Sequence, residues 1–145
     1  MTPTTAILGG HELHVPAYWE DLSPWERDTY ANGCGRASWP DALCALLDSY
    51  SGFHECGNIH DVEWEVAGQE CVLDSRHSVT RYAALLDASN ERFYCNCRTV
   101  VKDHCRPLWR HPICRIRGEL RARAFWRAVQ IGAATNVLRM RRAFA

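Results

Sequence analysis

Two adjacent residues, His60 and Asp61, have side chains that are suited to hydrolytic chemistry. An imidazole can act as a general base on a water molecule, and a carboxylate can hold a metal ion beside it. Consecutive helical residues point about 100° apart, so the two side chains can serve different partners. The pair predicts a site for metal-assisted attack by water; the alternative is an ordinary solvated helix surface.

A glycine-rich segment precedes this pair and can supply further metal ligands. The run Asn32-Gly33-Cys34-Gly35 can form tight turns, because glycine adopts backbone conformations that other residues avoid. Such a turn can direct several carbonyl oxygens toward one point, and calcium takes several oxygen ligands. The segment and the His-Asp pair together predict a calcium site.

The elements that must position these residues are mainly helical. Cys56, His60, Trp64 and Ala67 recur at a spacing that places them on one helix face, and Gly68 is a typical helix end. We expect one mainly α domain over residues 1–145. Its expected parts are an irregular arm at 1–28, helices at 41–50, 54–67 and 78–97, a loop at 103–112 and a long C-terminal helix at 115–143.

Hydrophobic periodicity also predicts which helix faces are buried. For the helix at 78–97, the expected inward positions are Tyr82, Leu85, Leu86, Phe93 and Cys97. For the C-terminal helix, they are Leu120, Ala124, Ala128, Ile131, Thr135 and Leu138. The strongest strand signal is the short run at 99–101, Thr-Val-Val.

The motifs that carry chemistry resemble those of the phospholipase A2-like superfamily. The loop at 32–35, Cys56-Gly57-Asn58-Ile59-His60-Asp61 and the later Gly68 resemble its signature, and they are closer still to a short variety from phages and bacteria. Residues 89–96, Ser-Asn-Glu-Arg-Phe-Tyr-Cys-Asn, resemble that variety's next helix. Residues 124–132 resemble its closing helix, so the resemblance touches most of the chain from 32 to 132.

The resemblance implies a fold, an activity and a set of site residues. The fold is a core of two antiparallel helices with a Gly-rich loop, followed by the long basic C-terminal helix. The activity is calcium-dependent hydrolysis of glycerophospholipid acyl esters, with His60 as the general base and Asp61 as the side-chain calcium ligand. Carbonyls of Gly33, Gly35 and Ala37 complete the protein ligands, and the Gly35 N–H helps to bind the oxyanion.

Several positions depart from the family pattern, including the cysteine displaced by Gly57 and an insertion between Gly68 and Ser78. Asn90 stands where the family has the Asp that orients the catalytic histidine, and Asp87 is the alternative acceptor on the same helical face. Trp64 replaces a tyrosine, and Ala37 replaces a glycine. These departures favour a second interpretation, a non-catalytic structural or binding protein on the same scaffold, such as a phage virion component.

The eight cysteines allow a competing metal site. Cys95, Cys97, Cys105 and Cys114 lie within twenty residues and could bind zinc, and Cys56 with His60 is a second arrangement with zinc-ligand spacing. Disulfides or buried thiols are the alternative, and the spacing matches no standard zinc module.

Charge is distributed unevenly along the chain. Residues 1–75 contain 13 acidic and 2 basic residues, whereas residues 76–145 contain 4 acidic and 15 basic residues, so the halves carry −11 and +11. Either the halves neutralise each other, or the second half binds phosphate-bearing partners. The expected partners are a phospholipid surface if the protein is active and an assembly partner through the basic half, with nucleic acid ranked below both.

The N-terminal segment lacks the features of a secretory signal peptide. Residues 1–19 contain no Lys or Arg and no sustained apolar stretch. We therefore expect synthesis in the cytoplasm; together with the resemblance, this implies a phage-encoded protein that is virion-associated or released.

Overall fold

A computed structural model of the chain describes residues 4–31, 51–72, 78–106 and 111–143. The elements in chain order are β1 (Thr4–Leu8), β2 (His11–Val15), a 3-10 helix (Trp19–Asp21), α1 (Pro24–Ala31), α2 (Ser51–Val72), α3 (Ser78–His104) and α4 (Pro112–Ala143). The described part of the chain is mainly helical, which confirms the predicted class. The predicted helix at 41–50 and the predicted loop at 32–37 lie outside the described residues.

Residues 4–15 form a β-hairpin, where the sequence had predicted an irregular arm. β1 and β2 pair antiparallel, with Leu8 opposite His11, so Gly9 and Gly10 form a two-residue turn. Both glycines have positive φ values, 56° and 82°, which this type of tight hairpin turn requires. Only glycine adopts that conformation at no steric cost, so the Gly-Gly pair fixes the register of the hairpin.

The hairpin is fastened to α3 through Asn96. Its amide nitrogen donates to the carbonyl of His14, and its carbonyl oxygen accepts from the His14 N–H, both at 2.8 Å. Asn96 is fully buried, so this pair of hydrogen bonds satisfies an amide that would otherwise lose its water partners. The 3-10 helix then adds the buried Trp19, whereas Trp25 in α1 is exposed.

The first turn of α1 is closed by a capping box. The Ser23 backbone N–H donates to Glu26 Oε2 at 2.8 Å, and the Glu26 N–H donates to Ser23 Oγ at 3.2 Å. Pro24 occupies the first helical position, where its missing N–H costs nothing. The sequence Ser-Pro-Trp-Glu therefore starts a helix within the segment predicted to be irregular.

Helix α3 packs against α2, α4 and β2 and forms the centre of the described fold. It continues through 99–101, where the sequence had suggested a strand, because Val100 and Val101 are fully buried as helical core residues. Packing therefore overrides the β preference of these valines. The helix ends only at His104, inside the predicted loop, and α4 begins at Pro112.

Helix α4 buries a different face from the one predicted. The buried residues are Gly118, Ala122, Phe125, Val129 and Ala133. Leu120, Ile131 and Leu138, which were predicted to be buried, are exposed. For α3 the prediction is confirmed at Tyr82, Leu86, Phe93 and Cys97, all of which are buried.

Small residues set how closely the helices approach. A Cβ added at Gly118 would lie 2.6 Å from Val101 Cγ1, and one added at Gly52 would lie 2.7 Å from Val100 Cγ2. Both distances are far below ordinary contact, so α4 and α2 approach α3 at points where only glycine fits. The buried face of α4 follows from this close approach rather than from its largest apolar residues.

Candidate functional site

The predicted site lies on two helices, α2 and α3, that run antiparallel. Glu63 pairs with Arg92, and further along α2 the later Glu70 pairs with the earlier Arg81. The later residue of α2 thus pairs with the earlier residue of α3, so the two helices run in opposite directions. The antiparallel arrangement that the resemblance implied for these helices is therefore present.

A buried hydrogen bond joins His60 on α2 to Asn90 on α3. The distance from His60 Nε2 to Asn90 Oδ1 is 2.9 Å, and the two residues are 4% and 0% exposed. The amide oxygen can only accept, so the imidazole proton resides on Nε2 in this arrangement. Nδ1 consequently keeps its lone pair, which is the form that a general base requires.

Two aromatic rings enclose the imidazole. The ring centroid of Trp64 lies 4.7 Å from that of His60, and the centroid of Phe93 lies 5.2 Å away on the α3 side. Trp64 occupies the helical turn after His60, and Phe93 the turn after Asn90. The two rings restrict the imidazole to one orientation and exclude water from the Asn90 hydrogen bond.

Asp61 lies beside the other imidazole nitrogen. Its Oδ1 is 3.7 Å from His60 Nδ1, and its side chain is 15% exposed, more than the imidazole. A carboxylate is the hard oxygen ligand that calcium prefers, so the donor chemistry fits. The other predicted ligands, carbonyls of Gly33, Gly35 and Ala37, lie outside the described residues, as does the Gly35 N–H predicted to bind the oxyanion.

Asp87 does not take the place of Asn90. It is exposed and lines a groove of about 370 Å³ between α3 and α4, together with Gln130 and Val137. The acceptor that bonds His60 is Asn90, one helical turn later. Of the two predicted alternatives, the structure therefore places Asn90 at the imidazole.

A buried ion pair near the imidazole was not predicted. Arg92 Nη1 donates to Glu63 Oε1 at 2.6 Å, and Glu63 is nearly buried. Burial raises the pKa of Glu63, although the nearby Arg92 and His60 oppose the shift. Burial and the Glu63 carboxylate together raise the pKa of Tyr18.

This ion pair lies against a cavity of about 230 Å³ between α2, α3 and the segment after β2. Its walls are mostly apolar and include Pro16, Ala17, Val66, Leu85 and Ala88. The signal that could have revealed the pair is the Glu63 position three residues after His60, which places it on the α3-facing side of α2. Its partner could not be found without the register between the helices.

The four cysteines of the predicted zinc alternative occupy separate environments. Cys105 and Cys114 form a disulfide that links the end of α3 to the start of α4, with Cα atoms 6.1 Å apart. Cys97 is buried beside Cys56, and burial together with that neighbouring thiol raises its pKa. Cys95 is exposed. Within the described ranges, no three His, Cys, Asp or Glu side chains form a group that could hold a metal ion.

The second zinc arrangement, Cys56 with His60, also has other partners. Cys56 Sγ donates to the Gly52 carbonyl at 3.2 Å, and His60 Nε2 bonds Asn90. Both side chains are therefore used in contacts between or within the helices.

Comparisons with known proteins give no assignment: no family model, curated protein or solved structure matches the chain. Among the described helices, none is both long and apolar enough to cross a membrane.

Proposed function

We propose that the protein is a calcium-dependent hydrolase of glycerophospholipid acyl esters, with His60 as its general base. The observation that carries the proposal is the hydrogen bond from His60 Nε2 to Asn90 Oδ1. This bond leaves the Nδ1 lone pair on the side of the Asp61 carboxylate, 3.7 Å away. A base beside a carboxylate that can hold a hard cation is the arrangement that metal-assisted attack by water needs.

Each residue has a distinct task in this reaction. His60 Nδ1 accepts a proton from the attacking water, while Asn90 holds the opposite nitrogen and fixes the tautomer. Trp64 and Phe93 keep the imidazole oriented and shield its hydrogen bond to Asn90 from water. Asp61, with the predicted carbonyls of residues 33–37, would hold calcium, which when bound polarises the ester carbonyl. Water attacks the ester carbonyl directly, the acyl C–O bond breaks, and the imidazolium returns its proton to the leaving alkoxide, so no covalent enzyme intermediate forms.

Fatty-acid release from mixed phospholipid vesicles tests the proposal directly. We expect release with added calcium, none with a chelator, and a loss of at least about 10²-fold for His60→Gln, because the base is removed. Glutamine keeps a polar side chain of similar reach, and circular dichroism checks that the fold is retained. The matched control is His111→Gln, at an exposed histidine just before α4. Release that survives both the chelator and His60→Gln would contradict the proposal.

A second candidate function, a non-catalytic structural or binding protein, is favoured by the burial around His60. The imidazole is only 4% exposed, and the Asn90 amide nitrogen has no hydrogen-bond partner among the described residues. A neutral amide also stabilises a protonated imidazole less than a carboxylate does. A well-folded protein with no detectable release, which associates stably with a partner protein, would support this candidate instead.

A further inference from the structure

The outward face of α4 carries an exposed apolar stripe along its whole length. Its members are 53–70% exposed: Ile113, Ile116, Leu120, Ile131 and Leu138. At 100° per residue, these five positions lie within an arc of about 60°, opposite the buried face at Gly118, Phe125 and Val129. A helix of 32 residues is about 48 Å long, and the stripe from Ile113 to Leu138 covers about 38 Å of it. The line is interrupted between Leu120 and Ile131, where the exposed Arg127 lies in the same arc. Scattered surface apolar residues are ordinary, but five exposed Ile and Leu residues on one face of a helix mark an interaction surface.

Arginines flank this stripe. Six arginines of the helix are exposed: Arg117, Arg123, Arg127, Arg139, Arg141 and Arg142. All but Arg139 lie on the same outward half of the helix as the stripe, and Arg127 lies within it. Between 112 and 143 the chain has eight arginines and one acidic residue, Glu119, giving a net charge of +7. That single carboxylate is already engaged with Arg98 of α3 at 3.2 Å. The surface therefore combines an apolar line, interrupted at Arg127, with a strongly basic surround.

The acidic half of the chain is engaged elsewhere in the described structure. On α2, the buried Glu63 pairs with Arg92 and the exposed Glu70 pairs with Arg81. Both arginines lie on α3. These two ion pairs between the halves of the chain thus lie between α2 and α3. The charge on the outward face of α4 is suited to an anionic partner outside the fold.

Two of the partners that such a face could take fit less well. A second copy of α4 would bring another +7 against the stripe, and like charges at an interface are repulsive. A nucleic acid would match the arginines but would bind through phosphates and polar base edges, leaving the Ile and Leu stripe in water. An anionic lipid surface uses both features, because arginine forks bind headgroup phosphates and the apolar stripe enters the acyl boundary.

We propose that the outward face of α4 is a docking surface for anionic phospholipid bilayers. The helix lies in the interface plane with its Ile and Leu stripe toward the acyl chains and its arginines at headgroup level. The inference rests on the proposed function for its purpose, delivery of the hydrolase to its substrate, but its evidence is the surface of α4 alone.

Vesicle flotation with the full chain tests this surface without any contribution from catalysis. The protein is mixed, in the presence of a chelator, with vesicles of phosphatidylcholine alone or with one third phosphatidylglycerol. We expect binding to the anionic vesicles that weakens with added salt, and little binding to the zwitterionic ones. An arginine near an anionic surface contributes about fivefold in partitioning, so Arg117→Gln/Arg123→Gln/Arg127→Gln should bind about 10²-fold more weakly.

A second variant isolates the apolar contribution. Ile116→Gln/Leu120→Gln/Ile131→Gln should lower partitioning by at least about tenfold while leaving the charge unchanged. All three positions are exposed, so the fold should survive, and thermal unfolding checks this. The matched controls lie off α4: Ile7→Gln/Trp25→Gln for the apolar change and Arg81→Gln/Arg106→Gln for the charge change, all exposed residues. Both controls should bind as the parent does.

Several outcomes would overturn the proposal. These are equal binding to both vesicle types, no binding to either, or full binding by the apolar variant. Duplex DNA binding that needs the arginines but not the stripe, without vesicle binding, would assign the face to nucleic acid. Self-association abolished by the apolar variant would assign it to a second copy. If a monomeric short-chain phospholipid is hydrolysed but vesicles are not bound, the docking surface fails and the proposed function stands. If vesicles are bound but His60→Gln releases fatty acid at the parent's rate, the docking surface stands and the proposed function fails.

Discussion

The imidazole of His60 is hydrogen-bonded to a neutral amide, that of Asn90. In the proposed reaction, the absence of a negative charge at this position limits the rate. When the base takes a proton from water it becomes an imidazolium, which a carboxylate stabilises by charge and an amide does not. The Asn90 amide nitrogen also has no hydrogen-bond partner among the described residues, so it adds nothing to the site. For the proposed reaction, Asn90 is therefore a weaker partner of the base than an aspartate would be.

This leads to the prediction that Asn90→Asp raises the rate of the proposed reaction. We expect kcat to increase by at least about tenfold, less than the 10⁴ that an orienting Asp is worth elsewhere, because a buried carboxylate is costly to desolvate. Fatty-acid release under saturating substrate is the measurement. Asn136→Asp, the same change on α4, should leave kcat unaltered. A folded Asn90→Asp protein with unchanged kcat would argue that His60 is not the base.

The pairing of His60 with Asn90 could be predicted because two motifs, each read within one helix, were joined by a family resemblance. The ion pair between Glu63 and Arg92 could not, since its partners are 29 residues apart and their meeting depends on the register between α2 and α3. The same holds for Asn96 and His14, which are 82 residues apart. Local spacing predicts which residues share a face, and the packing of helices decides what that face meets.

At the scale of whole elements, small residues determine which face of α4 packs against α3. Its sequence has apolar residues around most of its circumference, so periodicity alone does not select a buried face. The predicted stripe through Leu120 and Ile131 follows the largest aliphatic residues. The actual buried face has Gly118 and Ala122 opposite Val101, which allows close approach to α3. The rotation of α4 about its own axis therefore follows from this close approach to α3. The pattern of large residues does not reveal it.

The hairpin at 4–15 was missed for a different reason. The Gly9-Gly10 pair and the alternation of buried residues at Leu13 and Val15 are both standard hairpin signals. The strands have five residues each, and such a short hairpin is stable only when packed against something else. The amide of Asn96 on α3 supplies that support, and it lies far away in the chain.

A substitution at Gly118 tests the close approach of α4 to α3. A methyl group there would lie 2.6 Å from Val101 Cγ1, on a stiff β-branched side chain in the core. We expect Gly118→Ala to lower the free energy of unfolding by about 1 kcal/mol, since overpacking outweighs the gain in helix propensity. Chemical denaturation is the measurement.

The control and the rescue for this change come from the same chain. Gly68→Ala on α2, with no described atom within 4 Å of the new methyl group, should be neutral or stabilising by up to about 1 kcal/mol. In a Val101→Ala background, where the clash is relieved, Gly118→Ala should no longer destabilise the protein. Additive effects of the two substitutions would show that α4 does not approach α3 at this point.

For the whole molecule, the charge division along the sequence becomes a division between faces. Two ion pairs join the acidic and basic halves between α2 and α3, one of them partly buried and the other exposed. Six of the eight arginines of α4 are exposed, away from that interface. Net charge therefore predicts little about this protein, whereas the charge of each element identifies which surface is open to an anionic partner.

The buried member of those two pairs makes stability depend on pH. Burial raises the pKa of Glu63 above its ordinary value of 4.5, so the folded protein binds this proton more tightly than the unfolded chain does. The resulting stability is present in full below pH 4.5 and is lost as pH rises through the raised pKa. As pH falls from 7 toward 4.5, wild type should therefore gain stability relative to Glu63→Gln, which cannot titrate. Urea denaturation of both proteins across this range measures the difference.

Glu70→Gln removes the carboxylate of the exposed pair with Arg81 and should change stability by less than about 1 kcal/mol throughout. A difference between wild type and Glu63→Gln that stays constant, or that moves against wild type as pH falls, would mean that Glu63 is not held in a desolvated site between α2 and α3.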